Sequence, residues 1–108
     1  MIDIKSFATN EEGLTSEEIK KYLLARFNDL SFTQKKAVEN RLRRKYHFRG
    51  IFSDELFQVY HDIAGVNTCM MKIINGEHVI INYFCDVERF SDQLFLGKKT
   101  YFDWGKLW

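Results

Sequence analysis

The side chains able to do metal or nucleophilic chemistry are few: His47, His61, His78, Cys69 and Cys85. A zinc half-site needs two soft ligands two to four residues apart, and no pair among these five has that spacing. Cys69, His78 and Cys85 fall on one predicted hairpin, but strand alternation sends the two cysteines to opposite faces. They read as two core thiols beside a half-exposed histidine, so no metal or other cofactor is expected. Neither cysteine sits at a predicted helix N-terminus or sharp turn that would favour its thiolate. Flanked by Met70 and by Phe84, each behaves as a small hydrophobe. Acid–base or metal-assisted hydrolysis would need paired carboxylates. Asp54, Glu55 and Asp62 lie on one predicted helix, Asp86 and Glu88 follow the hairpin, and Lys72 could be cast as a nuclease lysine. Nothing around them would drive two pKa values apart, so they read as helix caps and solvated charge. The chain has no Gly-rich phosphate loop, no His-Glu-x-x-His and no Cys-x-x-Cys. The expectation is that it is not an enzyme.

Binding chemistry has stronger signals. Residues 35–49 carry Lys35, Lys36, Arg41, Arg43, Arg44, Lys45 and Arg49 against Glu39 alone. Residues 1–34 have four Lys/Arg against six Asp/Glu, and residues 50–108 have five against eight. A basic island therefore sits in a mildly acidic chain whose net charge is +1. These cations could track a phosphate backbone, with Tyr46, His47 and Phe48 stacking on bases. A dedicated nucleic-acid binder usually carries excess positive charge over the whole domain, which this chain does not. The other signal is aromatic. Eight of seventeen aromatics fall in residues 83–108, ending in Tyr101, Phe102, Trp104 and Trp108. Exposed Trp, Tyr and Arg dominate protein-binding hot spots, so Tyr101, Trp104, Trp108, Arg43 and Arg44 are the candidate partner contacts.

These residues need elements to position them. At 108 residues and 12.9 kDa, with 45% hydrophobic and 29% charged residues, residues 1–108 read as one small globular domain. Residues 1–14 read as a loosely ordered lead-in, with Asn10 to Gly13 as a polar turn. No apolar run reaches the 18 residues of a membrane span, and the N-terminus lacks the basic-then-apolar pattern of a signal peptide. With only two cysteines, the expected compartment is the reducing cytoplasm.

Thr15 and Glu18 form a capping-box pattern, with Leu14 poised to staple on Ile19. Ile19, Tyr22, Leu23, Phe27 and Leu30 then recur at helical spacing. Ser31 and Gln34 open a second helix to about Tyr46, whose stripe of Val38, Leu42 and Tyr46 is narrow. Ser53 caps a third, with Asp54 and Glu55 favoured by the positive end of its dipole. Leu56, Val59, Tyr60 and Ile63 form its buried side, and Gly65 ends it. The period then changes to two. Asn75-Gly76 favours the type I′ turn, which predicts a hairpin over residues 68–85. One face holds Met70, Lys72 and Ile74 with Glu77, Val79 and Ile81. The other holds Cys69, Met71 and Ile73 with His78, Ile80 and Asn82. Residues 86–92 fit either a short helix or a loop, and 93–104 fit a second hairpin turning at Gly97.

The expected class is therefore α+β: three helices, then a small antiparallel sheet. This element order resembles a winged helix-turn-helix in outline, an order shared by many folds. The helix before the hairpin, which would be the reader in the groove, has three carboxylates and no Lys or Arg, so the match fails where it matters. Both hairpin faces are apolar, and such a ribbon must be covered twice or keep one side for a partner. The leading functional expectation is a small protein-binding module of inhibitor, immunity, antitoxin or adaptor type, or a homodimer through the same surface. Nucleic-acid binding through residues 35–49 is the alternative.

Overall fold

The computed structural model describes residues 2–46 and 53–98, the side chains of residues 45, 46 and 66 excepted. A 3-10 turn (Ile4–Phe7) leads into a two-residue strand β1 (Gly13–Leu14). Helices α1 (Ser16–Asn28), α2 (Phe32–Tyr46) and α3 (Ser53–Ala64) follow. A second 3-10 turn (Val66–Thr68), strands β2 (Cys69–Ile74) and β3 (Glu77–Tyr83), and helix α4 (Phe84–Leu96) complete the order. The fold is α+β, with an antiparallel sheet in the order β1-β3-β2.

Helix α1 starts where its capping residues require. The Thr15 hydroxyl accepts from the Glu18 N–H at 3.4 Å, and the Glu18 carboxylate accepts from the Thr15 N–H at 2.9 Å. Two orphan amides are thereby satisfied. Ile19, Tyr22, Leu23 and Phe27 are buried along one stripe. The same reciprocal pattern, Ser31 with Gln34, opens α2, which buries Val38 and Leu42. Helix α3 buries Leu56, Val59 and Tyr60 and stops at Gly65, whose φ of +73° suits a residue without Cβ.

Two expectations are corrected here. Residues 93–96 are not an arm of a second hairpin but the last turn of α4; residues 100–104, the proposed return strand, lie outside the described residues. Val87, Phe90, Ser91, Leu94 and Phe95 are buried at three- and four-residue spacing, the period of one face of a helix and not of a strand. Gly97, read as a hairpin turn, is instead the left-handed stop of α4 at φ +71°, its N–H donating to the Gln93 carbonyl at 3.1 Å. Helix α4 touches α1, α2 and α3 and so closes the core. Phe90 meets Tyr60 edge-on, with ring centroids 5.2 Å apart.

The second correction concerns the lead-in. Ile4 and Leu14 are core residues, and β1 pairs with β3 through Gly13 opposite Tyr83 and Leu14 opposite Asn82. A Cβ on Gly13 would overlap the Asn82 carbonyl and the Ile81 side chain, so this approach of strands is open only to glycine.

Candidate functional site

The β2–β3 hairpin has the register its turn dictates. Asn75 and Gly76 take φ of +52° and +82°, the left-handed pair of a type I′ turn. Ile74 faces Glu77, Lys72 faces Val79, Met71 faces Ile80 and Cys69 faces Asn82. The ribbon is shorter than expected at its far end. Strand β3 ends at Tyr83, and Cys85 lies in the first turn of α4, exposed to solvent. The expectation of a buried strand thiol at 85, away from any helix N-terminus, is thus overturned, while Cys69 is half-buried.

The two faces of the ribbon differ in what covers them. On the inner face Ile81 is fully buried, and the Lys72 ammonium pairs with the Glu12 carboxylate beside β1. On the outer face only the base is closed. There the Tyr60 hydroxyl donates to Thr68 Oγ1 and Asn82 Oδ1 at 3.3 and 3.4 Å, and burial pushes the Tyr60 phenol well above its ordinary pKa. Beyond that base Met71, Ile73 and Ile80 stand 59%, 68% and 53% exposed. Three large side chains of adjacent strands on one face form a continuous apolar patch, unlike the scattered single hydrophobes of ordinary surfaces. His78, opposite Ile73, is exposed at its rim.

Among the described residues β2 has only β3 as a neighbour. A two-residue turn makes Ile74–Glu77 a hydrogen-bonded pair, and such pairs alternate along an antiparallel ladder. Met70, Lys72 and Ile74 therefore bond inward to β3, while the N–H and C=O groups of Cys69, Met71 and Ile73 point outward. Native edges are usually guarded by a charge. The one charge on β2, Lys72, is instead drawn to Glu12 on the inner face.

The sequence-predicted cations of α2 are only partly available. Arg41 donates to the Leu94 carbonyl of α4, and burial together with the nearby charge of Arg44 lowers its pKa; it is a packing residue. Lys35 is half-buried with its ammonium 5.9 Å from the centre of the Phe27 ring. Lys36 and Arg43 both reach Glu39, at 3.7 and 3.8 Å. Arg44 is exposed. The side chain of Lys45 is outside the description, and Arg49, Tyr101, Trp104 and Trp108 lie outside the described residues.

The groups weighed for catalysis do not converge. Cys69 and His78 share the outer face but sit four ladder positions apart, about 13 Å. Lys20 takes up Asp54, and the Gln58 amide donates to Asp62. Asp86 is buried, which raises its pKa against the partial relief of Arg89 3.8 Å away. No cluster of three His, Cys, Asp or Glu able to hold a metal exists among the described residues. A cleft of about 390 Å³ between α1, α2 and α4 has Arg26 in its wall. That guanidinium donates to Tyr22, Ser91 and Asp92 at 2.8 to 3.0 Å. Burial opposes its charge, but these bonds outweigh burial and raise its pKa. It joins α1 to α4. No described helix is long and apolar enough to cross a membrane.

Sequence reasoning marked the hairpin as doubly apolar but left open which side stays uncovered. The signal for the outer face was Ile73, Met71 and Ile80 on one parity, with a lysine on the other. Comparison with known protein families, with curated proteins and with solved structures finds no match to this chain.

Proposed function

We propose that this chain is a protein-binding module, of inhibitory, protective or adaptor kind, that receives an apolar segment of its partner on the outer face of the β2–β3 hairpin. The observation that carries this reading is the exposure of Met71, Ile73 and Ile80 side by side on one face of the ribbon, while on the other face Ile81 is buried and Met70, Ile74 and Val79 are half-buried. Burying such a patch gains about 25 cal/mol per Å² of apolar area, and a cluster of branched and thioether side chains suits an apolar contact that need not be hydrogen-bonded. The test is site-specific photo-crosslinking. A photoreactive residue at position 73 or 80 captures one protein from the source cells, and that protein, once purified, binds the wild-type chain. Ile73→Lys with Ile80→Lys abolishes binding while the circular dichroism spectrum is unchanged. Binding that survives this double change removes the reading.

A second reading, nucleic-acid binding through α2, rests on exposed Lys36, Arg43 and Arg44. It is weakened because Glu39 neutralises two of them and Arg41 is committed to α4. If it holds, a low-salt gel shift shows a complex that Arg43→Glu with Arg44→Glu eliminates and that added salt weakens steeply. No shift at low salt removes it.

A further inference from the structure

The cleft between α1, α2 and α4 has in its wall a guanidinium that the fold uses on one side only. We propose that this cleft binds a small zwitterion of the α-amino-acid class. Its carboxylate is held by Arg26, its ammonium by Glu88 and Asp29, and its apolar side chain by Ile2, Leu30 and Leu96. The site shares no residue with the outer face of the hairpin, so the two stand or fall separately.

Arg26 is the anchor, and the fold has already oriented it. Nη1 alone donates the bonds to Tyr22, Ser91 and Asp92, at 3.0, 2.8 and 2.8 Å. The rings of Tyr22 and Phe95 lie 5.8 and 5.9 Å from the guanidinium carbon. The guanidinium plane is thus pinned before any ligand arrives, which lowers the ordering cost of binding. Among the described residues Nε and Nη2 have no partner, and neither is sealed from solvent. These two nitrogens form a side-on fork, whose parallel N–H groups match the two oxygens of a carboxylate. The side chain is only 14% exposed, so a charge-assisted bond made there is screened less than one at an open surface.

The charges around this fork select the rest of the ligand. Asp29, which ends α1, lies one turn after Arg26, and Glu88 lies one turn before Asp92 on the same face of α4. Both are exposed and both line the cleft. Among the described residues neither carboxylate has a hydrogen-bond or ion-pair partner. A dianion such as a phosphate ester would meet Asp29, Glu88 and Asp92 against only Arg26 and Lys98, and like charge opposes it. A carboxylate that brings its own ammonium satisfies both signs at once. The apolar part of the wall comes from Ile2 and Leu30, which are half-buried, and from Leu96, which is 40% exposed. A cleft of about 390 Å³ is near the small end of the roughly 300–1,000 Å³ of ligand sites, which suits a single amino acid more than a cofactor.

Titration calorimetry of the full chain with leucine, methionine and phenylalanine tests this, together with NMR of the Arg26 Nε–H group. At least one of the three binds, with a dissociation constant on the order of 10–1,000 μM, and moves the Arg26 signal. Isocaproate, which is leucine without its ammonium, binds at least about 10-fold more weakly than leucine. Isoamylamine, which is leucine without its carboxylate, is weakened as much and leaves the Arg26 signal in place. Asp29→Asn with Glu88→Gln, both at exposed positions, makes leucine and isocaproate bind alike. Arg26→Lys keeps the charge but not the fork, and weakens every carboxylate ligand at least about 10-fold. Where that variant does not fold, the Arg26 signal of the wild-type chain carries the same information. Failure of all three amino acids to bind at about 10 mM overturns the proposal. So does binding that leaves the Arg26 signal unmoved, isoamylamine that binds as well as the amino acid, or inorganic phosphate that displaces it.

Discussion

Thr15 and Glu18 show how much one pair of side chains can organise. Besides closing the cap of α1, the Glu18 carboxylate accepts from the N–H and hydroxyl of Thr9, both at 2.9 Å, and so ties the segment before β1 to the helix. Thr15→Ala should cost about 1 kcal/mol in urea unfolding. Burial alone would raise the pKa of Glu18, but the bonds from Thr15 and Thr9 outweigh it and hold the value below its ordinary 4.5. A depressed carboxyl contributes stability above its unfolded pKa and loses it as pH falls through the folded one. The gap between wild type and Glu18→Gln should thus be full at pH 7 and close below about pH 4 in urea titrations. The capping box was legible because it is local: two residues at fixed spacing before an apolar stripe. The bridge from Arg26 to Ser91 and Asp92 was not, since it joins residues 65 and 66 positions apart and depends on α4 being a helix. Arg26→Met should cost about 2 kcal/mol, because Asp92 is left half-buried without its cation.

Among the elements, those with strong local signals were readable and those defined by long-range contact were not. Helices α1, α2 and α3 announced themselves through caps and stripes, and the hairpin through Asn75-Gly76, which fixed its pairing residue by residue. Strand β1 has two residues and no period, so only its partner β3 reveals it. Helix α4 was ambiguous for a physical reason. Its Phe84, Phe90 and Phe95 favour strands by intrinsic preference, and Gly97 followed by two lysines suits a hairpin turn as well as a helix stop. The three- and four-residue spacing of Val87, Phe90 and Leu94, which the sequence reading did not use, is the signal that could have decided it, and that stripe is buried. Two substitutions probe these elements. Gly13→Ala should break the β1–β3 pairing, since the added Cβ meets backbone that cannot yield, and should lower stability by more than about 1 kcal/mol. Phe90→Ala should cost about 3–5 kcal/mol by emptying the contact with Tyr60, enough to unfold a domain of this size near room temperature. A cooperative denaturation curve for each variant reads both.

Across the molecule, stability and surface chemistry are carried by different parts. The core is helical: α1 and α4 supply four residues each, and the sheet enters it through Leu14. Toward its tip the hairpin is exposed at Ile73 and at residues 75–78. Exposed side chains that touch nothing buried change stability little, typically within about 0.5 kcal/mol. Ile73→Lys with Ile80→Lys should therefore leave the urea midpoint nearly unchanged, in contrast to Phe90→Ala. Local opening should follow the same division, with amides of α1 and α4 exchanging only through global unfolding while the hairpin tip opens at lower cost. Within β2 the pattern should alternate at concentrations where the chain is monomeric. Met70, Lys72 and Ile74, bonded to β3, are slowed; Met71 and Ile73, whose amides point outward, exchange at rates near those of open strand. Hydrogen exchange followed by NMR reads this alternation directly. Uniform protection along β2 at high dilution would mean that its edge is already covered within one chain.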